Sequence, residues 1–502
     1  MKFKSIYIVL VIFLLSGCED FLSVSPETSV TPGNFFETQS DFEQAVIGTY
    51  APLQTIYDTR AVFGAGSDWA MGEMRSDNTH FNYNSAQRGA ITLENVATFL
   101  IESMNGTVAN KYNNNFLIIA RANDVISRID DVEFDQSAKD NLKGQALFLR
   151  AFAYFDLVTN YGGVPLHLEP SSSLEETSLP RSSESEVYNQ IISDATAAAG
   201  LLPSTGSAPG RATSGAAYTL LADVNMRLEQ WAAAEAALRN VTNYSLLPNY
   251  ADIFNPGNEG NSEMIFQVEY AAGTSADVHS LFPYHFLPRL DDPSVITGVT
   301  PAQMNDGGWN TPTPDLLAAY EEGDERHDAS VGYFSGVNQA LVYDNIPYIK
   351  KYQHSHATFG QTNQNWPVYR YAEVLLMLAE SINEQGGDIA EAQGYLNQVR
   401  RRAGLEDYVA SGQADLREAI MNERRIELAF ENKRWDDLVR SGSAVEVMNA
   451  FGNRVKENPD AYYYFGNSPT GASFNVTQDK LLYPIPFREI NLNPELTQNP
   501  GY

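Results

Sequence analysis

Apolar residues in the last third of the chain recur at positions i, i+3, i+4, i+7, i+8 and i+11, the spacing of one helical face. They are Tyr371, Val374, Leu375, Leu378, Ala379 and Ile382. Gly386-Gly387 ends this predicted helix, and Asp388 with Glu391 has the spacing of a capping box for a second helix, which Gly404 closes. The pattern predicts a helix–turn–helix unit of about 34 residues, the length of a tetratricopeptide repeat.

Similar stripes earlier in the chain predict further helices. One predicted pair carries the stripes Ala217, Leu221, Val224 and Leu228, then Ala234, Ala237, Leu238 and Val241. A longer helix is predicted from about residue 136 to 159, with apolar residues on two faces, and a neighbouring helix from about 108 to 129. Since no single pair buries faces this apolar, the pairs are expected to stack.

Two segments, 57–100 and 255–366, lack this periodicity and are rich in glycine, asparagine, proline, serine and aromatic residues. Long irregular segments in a compact protein are usually functional. The predicted fold class is therefore predominantly α, a tetratricopeptide-like helix-pair scaffold that carries large irregular loop segments. We expect one domain over 18–502, with halves of about 18–250 and 251–502.

Near the start, an apolar run at 6–15 follows two lysines. Crossing a bilayer takes roughly 20 residues, so the shorter run predicts a signal peptide over 1–17. The end of the run, Leu15-Ser16-Gly17-Cys18, resembles the lipobox of bacterial lipoproteins, which implies cleavage before Cys18 and a lipid on its thiol. Glu19-Asp20 resembles the signal that sends such lipoproteins to the outer face of the outer membrane.

The composition excludes several classes of protein. Cys18 is the one cysteine, so neither a disulfide framework nor a cysteine-based zinc site is available. The net charge of −30 leaves no electrostatic footprint for nucleic acid. Such a charge suits a neutral or basic ligand better than a polyanionic one.

Several long motifs resemble those of the SusD/RagB family, in the same order along essentially the whole mature chain. They run over Gly144–Leu157, Tyr161–Pro165, Arg370–Glu380, Leu396–Arg400, Glu423–Leu428, Arg434–Arg440, Tyr483–Pro486 and Gln498–Tyr502. These motifs belong to the scaffold and do not identify the ligand.

The resemblance implies a SusD-like fold, display on the cell surface, and association with a SusC-like TonB-dependent transporter, over which the lipoprotein sits as a lid. Most relatives bind glycans and some bind peptides, without a cofactor. We therefore predict a non-catalytic lipoprotein that captures a glycan and delivers it to the transporter. Binding of a peptide or another nutrient by the same loops is the nearest alternative, and a surface glycoside hydrolase is an alternative of a different class.

Paired carboxylates are what a hydrolase requires, and three glutamates recur at i, i+4 and i+8 on one helix face: Glu423, Glu427 and Glu431. Arg424, Arg425 and Arg434 are interleaved with them, and neighbouring guanidinium groups keep carboxylates ionised. We therefore predict a structural ion network and no catalytic residues. His354 and His356 lack a placed carboxylate, so no metal site is predicted.

Aromatic and polar residues of the irregular segments are the better candidates for a ligand site. Sugar rings pack on Trp and Tyr, while amides, carboxylates and guanidinium groups bond their hydroxyls. The predicted ligand-binding residues are Asp68, Trp69, Arg75, Asn78, Tyr83, Tyr284 and Trp309. Asp77, His285 and Trp366 share these segments, although Trp366 directly precedes a helix and fits a packing role.

Overall fold

The computed structural model describes residues 35–58, 68–82, 89–171, 173, 176–273, 278–301, 307–338, 341–464 and 468–502. The predicted signal peptide, Cys18 and the candidate ligand residue Tyr83 lie outside these residues. Within the described ranges, no helix combines the length and the apolar character needed to cross a membrane.

Helices make up most of the first half of the chain. They are α1 (Gln39–Tyr57), α2 (Asp68–Gly72), α3 (Ile91–Ala97), α4 (Gly106–Arg128), α5 (Gln136–Tyr161), α6 (Glu184–Leu201), α7 (Ser214–Arg227) and α8 (Trp231–Leu238). Each of α4 to α7 packs on the next helix along the chain, and α1 packs on α4. The predicted pairs α4–α5 and α7–α8 are confirmed.

Helix α5 shows why its apolar residues occupy two faces. It lies between α4 and α6 and contacts both, and its buried side chains surround the helix, from Leu142 to Tyr161. Asp135 caps its first turn by accepting from the backbone N–H of Ala138, and the chain leaves through Gly162, at φ 73°. A left-handed residue at this place is best supplied by glycine.

Short helices precede the long ones in the second half. They are α9 (Phe282–His285), α10 (Ser294–Thr297), α11 (Pro314–Leu317), α12 (Glu325–Ser330), α13 (Tyr371–Glu384), α14 (Ile389–Arg402), α15 (Gln413–Glu427), α16 (Arg434–Arg440), α17 (Ala444–Glu457) and α18 (Phe487–Leu492). The predicted pair α13–α14 is confirmed, and α13 also packs on α8, which joins the two halves. Asp388 caps α14, whereas Glu391 pairs with Arg239 and does not complete a capping box.

Among the described residues, three antiparallel strand pairs lie in or beside the irregular segments. The strands are β1 (Thr79–His80), β2 (Met264–Val268), β3 (Thr311–Pro312), β4 (Val331–Asn338), β5 (Leu341–Ile349) and β6 (Trp366–Arg370). β1 pairs with β3, β2 with β6, and β4 with β5 in a hairpin. β2 and this hairpin lie in the segment predicted to be irregular, so that expectation was wrong for 264–268, 331–338 and 341–349.

The predicted ion network is present and buried. Its three glutamates are Glu423, Glu427 and Glu431. Glu427 accepts hydrogen bonds from Arg326, Arg370 and Arg402. Burial raises the pKa of Glu427, but Arg402, Arg370 and Arg326 outweigh it and lower the pKa to about 2. This carboxylate stays ionised near pH 7 and is not available as an acid catalyst.

The interleaved arginines, however, bind other acids, which corrects that part of the prediction. Arg424 pairs with Asp437 at 3.1 Å, while Arg425 and Arg434 both pair with Asp77, at 3.0 and 2.8 Å. Neighbouring residues on a helix point in different directions, so residues i and i+1 rarely share partners. The glutamates instead meet cations that lie far away in the sequence.

Candidate functional site

The short β1–β3 pair brings the two irregular segments together. Thr79 lies opposite Pro312, and His80 lies opposite Thr311. Just beyond the pair, the backbone N–H of Asn82 donates to the carbonyl of Gly308 at 3.0 Å. The residues after β1 and before β3 therefore lie side by side, although more than two hundred positions separate them along the chain.

Four rings meet at this junction, and we call them the aromatic cluster: Trp69, Phe81, His285 and Trp309. The ring of Trp309 is stacked on that of His285, with centroids 4.8 Å apart and planes at 17°. Phe81 stacks on Trp309 at 6.4 Å and 13°, and Trp69 lies 6.0 Å from His285. Two of the predicted ligand residues, Trp69 and Trp309, are thus in one cluster and linked by His285.

Gly89 keeps the backbone close to this cluster. Its φ is +73°, and a Cβ at this position would lie 2.8 Å from Nε1 of Trp309 and 3.3 Å from Phe81. Contacts below about 3 Å force the neighbouring ring to move, and a left-handed φ disfavours any side chain here. The close approach therefore requires glycine.

Polar atoms in and beside the cluster are buried without hydrogen-bond partners in the described part of the chain. They are Nε1 of Trp69, Nε1 of Trp309, Nδ1 of His285, Oδ1 of Asn82, and both side-chain polar atoms of Asn310. An unsatisfied buried group costs about 1–3 kcal/mol, so such a concentration calls for an explanation. One explanation is that these atoms bind a ligand.

The cluster carries no charge near neutral pH. Burial lowers the pKa of His285 to about 4, which leaves its imidazole neutral. The remaining groups of the cluster are two indoles and a phenyl ring, and Asn82 and Asn310 beside it add two amides. Rings with neutral donors and acceptors suit a polar ligand without charge, such as a carbohydrate.

Two family profiles match the sequence. Residues 341–502 match the profile described as the SusD family, and residues 20–226 match a SusD-like profile described as starch-binding and associating with the outer membrane. This chain belongs to the SusD/RagB family.

Relatives of this SusD/RagB protein align along all or part of its length. SusD-like protein P25 of Formosa agariphila is 28% identical over 560 aligned positions, which cover 100% of both chains. The starch-binding protein SusD of Bacteroides thetaiotaomicron is 34% identical over 148 residues, 30% of this chain and 23% of that protein.

Solved structures confirm the predicted SusD-like fold. A laminarin-binding SusD-like protein is 25% identical with a TM-score of 0.75, covering 93% of this chain and all of that one. Surface glycan-binding protein A from Bacteroides fluxus is 25% identical with a TM-score of 0.77, at 93% and 100% coverage. Both of these solved relatives are named for binding glycans, laminarin in one case and surface glycans in the other.

Three predicted ligand residues of this SusD/RagB chain have scaffold partners instead. Asp68 forms a buried ion pair with Lys111. Arg75 donates to the carbonyl of Lys480 and lies over the rings of Phe99, Trp435 and Tyr483. Asn78 donates to Glu73 and accepts from Arg425. These three polar side chains suggested a ligand site in the sequence, but in the structure they bind other residues of the packed interior.

Trp309 and His285 are only 6% and 8% exposed, and Trp69 is fully buried. The ring faces that were expected to pack against a sugar are therefore covered by other side chains in this arrangement. Trp366 packs against Tyr352 and Phe282, which is the packing role that its position before a helix suggested. Tyr284 is also buried, with its hydroxyl 2.5 Å from Nε2 of His356.

Phe81, Asn82 and Asn310 were missed as candidates. Each lies within two residues of the β1–β3 pair, and a pair of two-residue strands has no detectable hydrophobic period. His285 was noted only as a neighbour in the sequence. Among the described residues, no group of three metal-ligating side chains lies close enough to hold an ion.

Proposed function

We propose that this chain is a non-catalytic lipoprotein of the outer membrane that captures a neutral glycan at the cell surface. It then passes the glycan to a SusC-like TonB-dependent transporter, over which it acts as a lid. The lipid on Cys18 anchors it. Its relatives include proteins named for binding starch, laminarin and surface glycans.

The observation that carries the proposal is the set of unpartnered polar atoms around the aromatic cluster. Sugar hydroxyls donate and accept hydrogen bonds, and the C–H faces of a sugar ring pack on aromatic rings. A glycan therefore satisfies the indole and amide groups and replaces ring–ring contacts with ring–sugar contacts. Because the rings are buried, binding includes a local opening around Trp309.

Charge favours a neutral glycan over an acidic one. The chain carries a net charge of −30, and the cluster contributes no cation that would pair with a carboxylate or sulfate. A polyanionic ligand would approach a surface of the same sign. Neutral glucans such as laminarin and starch are therefore the first probes.

Binding is tested with an array of neutral and acidic glycans that includes laminarin and starch, followed by calorimetric titration of the tightest ligand. Trp309→Phe keeps an aromatic ring and removes the Nε1 donor. Loss of one neutral hydrogen bond costs about 0.5–1.5 kcal/mol, so we expect affinity to fall by about 2- to 12-fold. Trp435→Phe, in the scaffold near Phe99 and Arg75, serves as the matched control and should bind normally.

Absence of binding to every neutral glycan on the array would refute the proposal. Anchoring is tested separately by Cys18→Ala, which should abolish surface labelling of intact cells while leaving the fold intact. Delivery is tested by co-expressing the chain with a SusC-like transporter from the same strain. Separate elution of the two proteins in mild detergent would argue against a lid.

A further inference from the structure

A pocket lies between the 352–364 loop and a wall that includes Pro256 and Ala272. We call it the loop pocket. Its volume is about 200 Å³, whereas one water requires about 10–15 Å³ in the same measure. Ala357 and Thr358, two of its lining residues, are exposed.

Gln364 lines this pocket, and its side chain holds one unsatisfied acceptor. Its side chain is only 4% exposed. The Nε2 group donates to the carbonyl oxygens of Phe254 and Asn365, at 3.1 and 3.3 Å, which fixes the orientation of the amide. Oε1 has no hydrogen-bond partner in the described part of the chain. The folded chain thus holds this oxygen in place without satisfying it.

His354 also lines this pocket and holds a second unsatisfied acceptor. Its Nε2 is buried and also lacks a partner among the described residues, while the ring hydrogen-bonds to the backbone of Lys351. Burial lowers the pKa of His354, and the contact with Lys351 only partly opposes this. A neutral imidazole whose Nδ1–H donates to a carbonyl leaves a lone pair on Nε2.

The lining has no charged side chain. It consists of amides, hydroxyls, imidazoles and small apolar groups. Two fixed acceptors in a lining that contains no carboxylate favour hydroxyl donors over cations, because an ammonium group gains little from neutral acceptors once it is desolvated. A neutral polyhydroxyl group, such as a sugar unit, fits this chemistry.

We propose that the loop pocket binds one further sugar unit of the glycan that the aromatic cluster binds. This inference rests on the proposed function and adds a subsite to it. Tyr284 and His285 are consecutive residues of α9, and they connect the two places. The Tyr284 hydroxyl contacts His356 of the loop, while His285 stacks on Trp309 of the cluster.

The test blocks the loop pocket and leaves its hydrogen-bonded frame alone. Ala357→Trp places an indole in the pocket from an exposed position, and we expect at least a tenfold loss of affinity for the tightest neutral glycan of the array. Val409→Trp, at a side chain that is 80% exposed and not part of the pocket lining, is the matched control and should bind normally. His354→Phe keeps a ring and removes the Nε2 acceptor, so we expect a loss of about 2- to 12-fold.

The outcomes separate the two proposals. Normal glycan binding by Ala357→Trp, together with weakened binding by Trp309→Phe, would overturn the loop pocket and leave the proposed function intact. No binding of any neutral glycan by the unmodified chain would overturn both. If a peptide mixture binds instead and Ala357→Trp abolishes that binding, a sugar subsite is refuted. If His354→Phe melts at a lower temperature than the unmodified chain, its weaker binding could reflect unfolding. Ala357→Trp then decides the test, because Ala357 is exposed and its substitution leaves the core unchanged.

Discussion

The buried ion network around α15 and the aromatic cluster beside β1 both place polar groups in the interior. The two regions differ in whether those groups have hydrogen-bond partners. Both carboxylate oxygens of Glu427 accept hydrogen bonds from arginines. In contrast, neither polar atom of the Asn310 side chain has a partner among the described residues. Satisfied buried charges stabilise a single arrangement, whereas unsatisfied neutral groups leave bonds for a ligand to make. The difference distinguishes Glu427 from the amides of the candidate site, and the network itself holds one unpartnered atom among the described residues, Nε of Arg402.

Removing Glu427 should have the largest effect on stability. Glu427→Ala leaves Arg326, Arg370 and Arg402 without their shared partner, and breaking a buried pair costs about 3–5 kcal/mol. Denaturant unfolding measures this loss, and Glu418→Ala on the exposed side of α15 is the control. The folded fraction should bind glycan normally. A loss of binding at unchanged stability would place the site in the network instead.

Acid should destabilise the protein through its buried histidines. Burial lowers the pKa of His285 and of His80 to about 4, from an ordinary value near 6.5. The unfolded chain therefore binds more protons between these values, so stability is lost as pH falls from about 6.5 to about 4 and levels off below. His285→Phe should remove about 2–4 kcal/mol of this dependence, measured by denaturant unfolding across that range. An unchanged pH profile would contradict the assignment.

The close approach at Gly89 should matter to both stability and binding. Gly89→Ala introduces a left-handed alanine and a clash with Trp309, which we expect to cost about 1–3 kcal/mol and to weaken glycan binding. Gly200→Ala in α6, where a Cβ meets nothing within 4 Å, is the matched control and should be neutral or slightly stabilising. Equal stability and equal glycan affinity of Gly89→Ala and Gly200→Ala would contradict the role given to Gly89.

The smallest expected effect comes from Trp69→Phe, which removes one unpartnered indole N–H from the cluster. If this N–H bonds the glycan, affinity falls by about 2- to 12-fold while the melting temperature changes little. Calorimetric titration with a parallel thermal melt measures both. A higher melting temperature with unchanged affinity would mean that the N–H is merely an unsatisfied group.

The helical scaffold could be predicted because its pattern is local. The stripes of α5, α7, α8, α13 and α14 recur every three or four residues, and each predicted helix was found close to its expected bounds. The β4–β5 hairpin was missed because its strands lie in a segment rich in glycine and asparagine, where alternation is weak. Strand pairing is set by partners distant in sequence, which single-sequence patterns do not reveal.

The candidate site was predicted only in part. Trp69 and Trp309 are in one cluster, but Asp68, Arg75 and Asn78 have scaffold partners. Residue type and spacing cannot distinguish a polar side chain that binds a ligand from one that pairs with a cation distant in the sequence. That distinction depends on contacts such as the pair of Asp68 with Lys111, which lie on different helices.

The contact between α8 and α13 has a consequence for folding. Ala234, Ala237 and Leu238 give α8 an apolar face. Of the helices that it packs on, α7 precedes it, whereas α13 comes after all of β2 to β6. Closing so long a loop costs chain entropy before the contact forms, and contacts of high sequence separation slow folding. A fragment that stopped near residue 250 would leave this face in water. We therefore expect a fragment of the first half alone to aggregate. The second half supplies α13, which covers the apolar face of α8.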